Sequence, residues 1–321
     1  MPPAKHHASR NPRAPRSNVP QPPPEVIDPV WLAKAVGLSL VAALLCGYAT
    51  LCLLFYQGEW QLILHPSRIV DRTPASAGLG YQDVHFDAAD SGQPRLTAWW
   101  IPEEPQAGFQ PRYAAFTVLY LHDGSGSLSN TVPTLALLHR AGLNVFAIDY
   151  RGFGASSSSA HPSEALMVQD AAAALEYLTS TLHIPTRDII PYGVGLGASL
   201  AVRLARDHAD LPAVILDNPD PDPASTAAAV KPSRVIPIRL LYGNSFDIAK
   251  PISGLATPKL LISGGANASE ANRDLAQMQS LFQRAASPRF AVTLARTDSD
   301  ADYQAALSRF LDQYPATRPR R

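Results

Sequence analysis

The chain has 321 residues, and its 27 basic and 27 acidic side chains give a formal net charge of zero at pH 7. This balance excludes the whole-molecule electric field with which many proteins attract nucleic acid, so we expect no nucleic-acid partner. The two cysteines, Cys46 and Cys52, both lie in an apolar stretch, which excludes a disulfide framework and a Cys/His metal site. We therefore expect neither a metal ion nor a cofactor.

The N-terminal part of the chain predicts a tail followed by a membrane anchor. Residues 1–28 are rich in proline, arginine, serine and histidine, a composition that buries too little apolar surface to offset chain ordering, so we predict disorder. The run Ala35–Tyr56 then gives about 22 uncharged residues, enough for a helix to cross the bilayer's hydrocarbon core of ~30 Å. A buried core helix would show a polar face, whereas this run offers Ser39 and Thr50. We predict a transmembrane helix over 29–57, held in the lipid bilayer.

The charges that flank this run predict its orientation. Fewer basic residues follow it than precede it, and the preceding ones are Lys5, Arg10, Arg13, Arg16 and Lys34. The positive-inside rule then places the N-terminus in the cytoplasm and the large domain outside it, in the periplasm if the organism is a bacterium. A cleaved signal peptide is the alternative. The long flank before the run and the lack of an A-x-A cleavage pattern argue against it.

The rest of the chain predicts one α/β domain. Residues 58–78, which begin with the apolar side chains of Trp60 and Leu62–Leu64, are interpreted as a linker that docks on a surface, and 316–321 as a basic tail. From 79 to 315, short apolar runs alternate with helical patterns, which is typical of a parallel sheet covered on both faces. The first two predicted strands form an antiparallel pair. The predicted strands are Tyr81–Phe86, Leu96–Ile101, Phe116–Leu121, Leu143–Ile148, Ile189–Tyr192, Ala213–Leu216, Lys259–Ser263 and Phe290–Leu294, and the predicted helices are Val132–His139, Pro162–Leu182, Glu270–Arg284 and Asp302–Tyr314.

The stretch Asp188–Ala205 has the pattern of a strand, a sharp turn and a helix. Its turn reads Gly193-Val194-Gly195-Leu196-Gly197. This frame is typical of a nucleophile elbow, whose usual sequence is G-x-S-x-G with the nucleophile at the centre. The central residue here is Gly195, which has no side chain to act as a nucleophile.

Three further motifs accompany the elbow. Leu119-Tyr120-Leu121-His122 is followed by Asp-Gly-Ser-Gly, the run Asn144–Gly154 contains the pattern D-Y-R-G-x-G, and Pro258–Gly264 is a strand that ends in glycine. Together these landmarks resemble the α/β-hydrolase superfamily, and most of all its membrane-anchored, prolyl-oligopeptidase-like (serine aminopeptidase-like) members. The resemblance covers Tyr81–Tyr314 and implies an α/β-hydrolase fold with a mostly parallel sheet, preceded here by one transmembrane helix.

The resemblance also implies where a catalytic triad would stand. Such hydrolases carry a serine on the elbow, an acid after a later strand and a histidine near the C-terminus. These positions fall at Gly195, Asn267 and Ser299, and no histidine follows His208 in the sequence. Because nucleophile, acid and base are all replaced, we predict a pseudoenzyme. Glycine at 195 also relaxes the strained backbone of an elbow.

The loop after the third predicted strand is implied to supply part of an oxyanion hole. The hole is built from backbone N–H groups near Gly124 and Leu196. Asp123 stands where the family usually has glycine, and its negative charge would disfavour an oxyanion. We expect His122 to face the cleft, and we interpret Asp149 and Arg151 of the D-Y-R-G pattern as structural.

Two classes of function remain open. A protein without turnover would bind an acyl chain or another small hydrophobic ligand, or would present a surface to a protein partner. An active hydrolase of ester, thioester or peptide bonds would need an unconventional nucleophile or acid. The candidates for these roles are Ser125, Ser127, His122 and the carboxylates Asp217, Asp220 and Asp222. For the three carboxylates we favour ordinary turn chemistry, and for Ser199 a hydrogen bond back to a helix carbonyl.

Overall fold

The computed structural model describes residues 28–87, 96–103, 111–157, 161–223, 225, 246–264, 268–294 and 300–314. The predicted tails 1–28 and 316–321 lie outside this part, except for Asp28. The chain divides into two units, Met1–Leu51 and Cys52–Arg321.

Helix α1 (Pro29–Gly58) corresponds to the helix predicted for 29–57. It begins where the Asp28 carboxylate accepts a hydrogen bond from the Val30 N–H at 2.9 Å, which satisfies one free donor of the first turn. Its large apolar side chains are exposed, with Leu44 at 74%. Within the described residues, α1 is the one helix long and apolar enough to cross a membrane, with a mean hydropathy of 2.3. A signal sequence near an N-terminus has the same properties, so length and composition establish an apolar N-terminal helix and no more.

The strands lie within one or two residues of their predicted positions. The strands of the main sheet are β2 Gln82–Phe86, β3 Leu96–Ile101, β4 Thr117–Leu121, β6 Asn144–Asp149, β7 Ile189–Val194, β8 Val214–Asp217, β9 Lys259–Ser263 and β10 Arg289–Thr293. Their order across the sheet is β10-β9-β8-β7-β4-β6-β3-β2. The strands from β10 to β6 run parallel, whereas β3 is antiparallel to β6 and β2 is antiparallel to β3, as predicted for the first pair.

Helices cover both faces of this sheet. Side chains alternate along each strand, so in β4 Leu119 and Leu121 enter one core and Val118 and Tyr120 the other. The helices that follow α1 are α2 Val132–Arg140, α3 Glu164–Glu176, α4 Gly197–Asp207, α5 Ala249–Ser253, α6 Ala268–Arg284 and α7 Asp300–Gln313. Helices α3, α4, α5 and α6 pack on the first core, and α2 and α7 pack on the second.

Helix α3 is shorter than the helix predicted for Pro162–Leu182. It begins at the Ser163 side chain, which accepts a hydrogen bond from the Leu166 N–H. After Glu176 the chain widens into a π-helical turn over Tyr177–Thr181. The hydroxyls of Thr179 and Ser180 both donate to the Glu176 carbonyl, and such local bonds compete with regular helix formation.

The segment that follows α1, which we call the strap (Trp60–Arg72), lies along the loop after β4. Within it, β1 (His65–Pro66) forms a short parallel ladder with β5 (Ser125–Gly126). The Leu64 side chain is 1% exposed and belongs to the domain core, and the Trp60 ring stacks on His161 at 5.1 Å. The strap therefore joins the loop after β4 to the rest of the domain.

Candidate functional site

The turn between β7 and α4 has the geometry of a nucleophile elbow. Gly195 has φ +53°, a left-handed conformation that glycine adopts without a Cβ penalty. A Cβ on Gly193 would collide with the backbone of Gly197 and Ala198, so strand and helix approach closely at this point. The Gly195 N–H donates to the Asp217 carbonyl at 3.0 Å, which ties the turn to β8. The glycines thus maintain the turn, while its tip carries no side chain.

The carboxylate of Asp123 fills the space above this tip. Its Oδ1 accepts a hydrogen bond from the Leu196 N–H at 2.9 Å. A Cβ built on Gly195 would collide with the same carboxylate. The Asp123 carboxylate therefore lies where the side chain of an elbow nucleophile would begin. It also accepts the hydrogen bond of the Leu196 N–H, the backbone donor of the residue that follows the nucleophile position.

This arrangement opposes acyl transfer in two ways. A tetrahedral intermediate needs free N–H donors around its oxyanion, and the loss of one such donor commonly costs about 10²–10³ in kcat. Here the Leu196 donor is already bound, and the group that binds it is an acid whose negative charge would repel an oxyanion.

Apolar side chains pack over the neighbouring loop residue. A Cβ on Gly124 would lie 2.6 Å from Leu196 Cδ1 and 2.9 Å from Leu64 Cδ2. Both leucines are buried. Glycine at position 124 therefore leaves room for Leu64 of the strap and Leu196 of the elbow to pack against this loop.

His122 does not offer its ring to the cleft. Its side chain is 1% exposed, and the ring lies against Tyr150 and Phe153 at centroid distances of 4.5 and 5.2 Å. Nδ1 lies 2.6 Å from the Asp123 carbonyl oxygen, and Nε2 lies 3.6 Å from Asp149 Oδ1. Burial lowers the pKa of His122, although Asp149 partly opposes this effect. The prediction that His122 faces the cleft is therefore wrong, because its aromatic neighbours hold the ring inside the domain.

The D-Y-R-G loop is structural, as predicted. Asp149 accepts hydrogen bonds from the N–H groups of Leu128 and Ala155, at 3.0 and 3.4 Å. The Arg151 guanidinium donates through Nε to Asp170 Oδ1 at 2.6 Å, and both side chains are buried. Asp149 thus joins the end of β6 to the loops at Leu128 and Ala155, and Arg151 joins the D-Y-R-G loop to the middle of α3.

Of the serines considered as alternative nucleophiles, Ser125 alone is exposed. Ser127 is buried and donates to the Ile69 carbonyl at 2.9 Å. Ser199 is buried and donates to the Leu196 carbonyl at 2.9 Å, the bond expected for it. Ser125 Oγ donates to Asp123 Oδ2 at 3.4 Å.

Residue His65 of the strap was missed by the sequence analysis. The ladder between β1 and β5 makes His65 the register partner of Ser125, and the side chains of both residues are exposed. This pairing links two residues of two-residue strands that are 60 positions apart in the chain. No periodic pattern in the sequence signals such a contact.

Asp217, which is half-buried, belongs to a network of hydroxyl groups formed by the buried Tyr192 and the half-buried Tyr303. Its Oδ2 accepts a hydrogen bond from the Tyr192 hydroxyl, which also pairs with the Tyr303 hydroxyl of α7. Burial raises the pKa of Asp217 to about 6, although the bond from Tyr192 favours the ionised form. Asp220 and Asp222 accept hydrogen bonds from nearby backbone N–H groups, which is turn chemistry. Among the described residues, no group of His, Cys, Asp or Glu side chains is arranged to hold a metal ion.

The other two triad positions, Asn267 and Ser299, lie outside the described residues. The strands before them, β9 and β10, end at Ser263 and Thr293 on the same edge of the sheet as the elbow. The replacement of the acid and the base at these positions therefore stays a prediction.

The parallel sheet, the helices on both faces and the elbow after β7 define an α/β-hydrolase-fold protein. The profile of the family described as serine aminopeptidase, S33, matches residues 114–310, which is more than half of the chain. The chain belongs to this family of the α/β-hydrolase superfamily.

Relatives from plants, bacteria and yeast share parts of the sequence. The alpha/beta hydrolase domain-containing protein WAV2 of Arabidopsis thaliana is 30% identical over 46% of this chain and 45% of its own length. An uncharacterized protein of Mycobacterium tuberculosis is 28% identical over 74% of this chain and 79% of its own. Protein bem46 of Schizosaccharomyces pombe is 34% identical over 40% of each chain. The matches thus span less than half of WAV2 and of bem46.

Solved structures agree with the fold. An esterase of Pyrococcus furiosus superposes with a TM-score of 0.59 at 18% identity and covers 78% of this chain and 98% of its own. An alpha-beta hydrolase of Vibrio vulnificus gives a TM-score of 0.55 at 21% identity, over 74% of this chain and 81% of its own. At these identities the likeness concerns the fold and not the activity.

Proposed function

We propose that this chain is a pseudoenzyme of the serine aminopeptidase family, anchored in a membrane by α1. Its N-terminal tail lies in the cytoplasm, and its α/β domain lies on the other side of the membrane. The domain binds a ligand or a partner and does not turn over a substrate. The observation that carries the proposal is the Asp123 carboxylate, which holds the Leu196 N–H and fills the space over Gly195.

The replacement of the remaining catalytic groups supports the same conclusion. Gly195 supplies no nucleophile. His122, the histidine that directly follows β4, is buried and lies next to Asp149. No histidine follows His208. Asn267 and Ser299, at the positions of the acid and the base, complete the proposed loss of the triad.

The closed tip favours a protein partner over a small ligand. A carboxylic acid or a phosphate would meet the charge of Asp123 and would find the Leu196 donor taken. An acyl chain or another small hydrophobic ligand would have to bind without using that donor. A partner that docks on the outside of the domain meets neither restriction.

A second candidate function, an active hydrolase, is favoured by the contacts of Ser125. The Ser125 hydroxyl donates to Asp123, and His65 is its partner in the ladder. In this alternative, Ser125 Oγ attacks an ester carbonyl while the His65 imidazole takes its proton, and the imidazolium returns that proton to the alcohol as the ester C–O bond breaks. Water, deprotonated by the same imidazole, then hydrolyses the acyl-serine to the free acid and regenerates the Ser125 hydroxyl. The alternative also requires an oxyanion donor other than Leu196.

Labelling with a fluorophosphonate probe distinguishes the two functions, because the probe bonds covalently to activated serines. We would label the purified full-length chain in detergent, its Ser125→Ala variant and a variant with Gly195→Ser, Asp123→Gly, Asn267→Asp and Ser299→His. The proposal predicts no labelling of the parent and labelling of the fourfold variant. A matched variant that keeps Asp123 and carries the other three changes should stay unlabelled.

Labelling of the parent that disappears in Ser125→Ala would contradict the pseudoenzyme proposal and favour the second candidate. Labelling of the parent that survives in Ser125→Ala would also contradict it and would direct the search to another serine.

A further inference from the structure

Two apolar side chains of the strap stand out on the surface of the domain. Ile69 is 68% exposed and Val70 is 42% exposed. In the part of the chain that the structure describes, they are the only exposed large apolar side chains outside α1. Burying such side chains is favourable, so this adjacent pair offers an apolar contact to whatever surface lies against it.

Hydrogen bonds hold the backbone of this pair in place. The Ser127 hydroxyl donates to the Ile69 carbonyl at 2.9 Å, and the Ser129 hydroxyl donates to the Arg72 carbonyl at 2.9 Å. The Arg72 N–H in turn donates to Ser129 Oγ at 3.3 Å. These bonds fasten both sides of Val70 to the loop after β4, so the two side chains are displayed on a fixed support.

Charged side chains of both signs surround the pair. Arg68 and Arg72 flank it in the sequence, but the Arg68 guanidinium donates to the Ser156 carbonyl, whereas Arg72 is exposed and lines a groove of about 530 Å³ together with Arg140. The acidic side chains here are Asp71 and Asp300, and Asp300 pairs with Arg140 at 2.6 Å. Exposed apolar side chains next to an arginine that forms no salt bridge with a described residue, here Arg72, are a combination that binds the headgroup region of anionic membranes.

The position of the pair in the chain keeps it close to the end of α1. Gly58, the last residue of α1, and Ile69 belong to the same unit, Cys52–Arg321. Even if the chain between them were fully extended, it would span at most about 40 Å. If α1 crosses a membrane, the pair is therefore tethered within reach of that membrane's surface.

We propose that Ile69 and Val70, with Arg72 beside them, insert into the surface of an anionic lipid bilayer on the side of the membrane where the domain lies. The proposal rests on the membrane anchor of the proposed function and adds a second contact with lipid. Through the bonds from Ser127 and Ser129, this contact bears on the loop that carries Asp123. The inserted pair holds that loop next to the bilayer.

The test uses the full-length chain with Cys46→Ala and Cys52→Ala and a single reporter cysteine that carries the fluorophore NBD. One version places the reporter at Val70→Cys, and the matched control places it at Gln279→Cys, an exposed position on α6. Both are reconstituted into vesicles of phosphatidylcholine alone or mixed with phosphatidylglycerol. Quenching by aqueous iodide and by nitroxide-labelled acyl chains then reports the surroundings of each position.

We expect iodide to quench position 70 at least threefold less than position 279 in the anionic vesicles, and the acyl-chain nitroxide to quench it at least threefold more. Arg72→Glu should remove most of this difference, because the variant exchanges attraction to the headgroups for repulsion. The protection should also be weaker in vesicles of phosphatidylcholine alone.

Equal iodide quenching at the two positions in anionic vesicles would overturn the proposal. Protection without acyl-chain quenching, or protection that disappears when the protein is diluted in lipid, would assign the pair to contact with a second copy and would also overturn it. A chain that stays out of the vesicle fraction would contradict the membrane anchor and this proposal together. The fluorophosphonate experiment is independent of all these outcomes, so the failure of one proposal leaves the other measurable.

Discussion

Two loops at the same edge of the sheet differ in how they relate to the family sequence. The D-Y-R-G loop that follows β6 keeps the family letters, and its charged groups are paired and buried. The elbow that follows β7 keeps the glycines that shape the turn, but its central residue, Gly195, has no side chain that could react, and Asp123 covers the tip. The contrast teaches that the scaffold of a hydrolase and its chemistry depend on different residues, so the scaffold alone does not establish the chemistry.

The largest effect is expected from breaking the D-Y-R-G loop at Asp170. Asp170→Ala leaves the buried Arg151 guanidinium without its carboxylate, and an uncompensated buried charge costs about 3–5 kcal/mol. Urea unfolding followed by circular dichroism should show a loss of this size in the free energy of unfolding. Asp210→Ala, at an exposed position, is the control and should change the free energy of unfolding by less than about 0.5 kcal/mol. Similar losses in both variants would contradict the structural role of the loop.

The next effect concerns the carboxyl group of Asp217, the residue whose carbonyl is bonded to the elbow. Because burial raises the pKa of Asp217 to about 6 from 3.8, the folded state binds a proton more tightly than the unfolded state does. The stability that Asp217 contributes is therefore fully present below about pH 4 and falls as the pH rises towards 6, by up to about 3 kcal/mol. Asp217→Asn cannot titrate at this position. The unfolding free energy of the parent minus that of the variant should therefore decrease as the pH rises over this range.

Denaturant unfolding at several pH values between 4 and 7 measures this difference. Asp210→Asn serves as the exposed control, and its difference from the parent should stay constant with pH. A difference between the parent and Asp217→Asn that increases towards pH 6 would mean that Asp217 is stabilised in its charged form, contrary to the account.

Much of the fold could be predicted from the sequence, because most strands of the sheet, including the antiparallel β3, are short apolar runs buried on both faces. The runs Leu96–Ile101 and Lys259–Ser263 match their strands residue for residue. The end of α3 was less predictable, since hydroxyl bonds to the Glu176 carbonyl replace regular helix geometry without changing the apolar pattern.

The site could be predicted only in part. The glycines of the elbow and the acidic residue at position 123 can be identified directly in the sequence. The reach of the Asp123 carboxylate to the Leu196 N–H joins residues that are 73 positions apart, and local pattern does not fix a side-chain direction. The same reason explains the error on His122, whose ring turns inward to Tyr150, and the missed contact of His65 with the Ser125 strand.

The smallest effect is expected next to the elbow tip. Ser199→Ala removes a hydroxyl that donates to the carbonyl of Leu196, the residue that immediately precedes α4. Losing one neutral hydrogen bond should cost about 1 kcal/mol or less in unfolding free energy. Urea unfolding measures it, and Ser253→Ala, which removes an exposed hydroxyl bonded to the Lys250 carbonyl, is the matched control. A cost above about 3 kcal/mol for Ser199→Ala would show that the elbow depends on polar groups as strongly as the D-Y-R-G loop does.

A double-mutant cycle between positions 123 and 195 tests the central claim most directly. The claim is that the Asp123 carboxylate occupies the space of an elbow side chain. Gly195→Ala should destabilise the parent by the cost of a positive φ, about 1–3 kcal/mol, plus the cost of the collision with Asp123. In the Asp123→Gly background the collision is absent. We predict that the cost of Gly195→Ala falls there by at least about 1 kcal/mol in urea unfolding. Costs that agree within about 0.5 kcal/mol in the two backgrounds would show that the two positions do not interact and would contradict the claim.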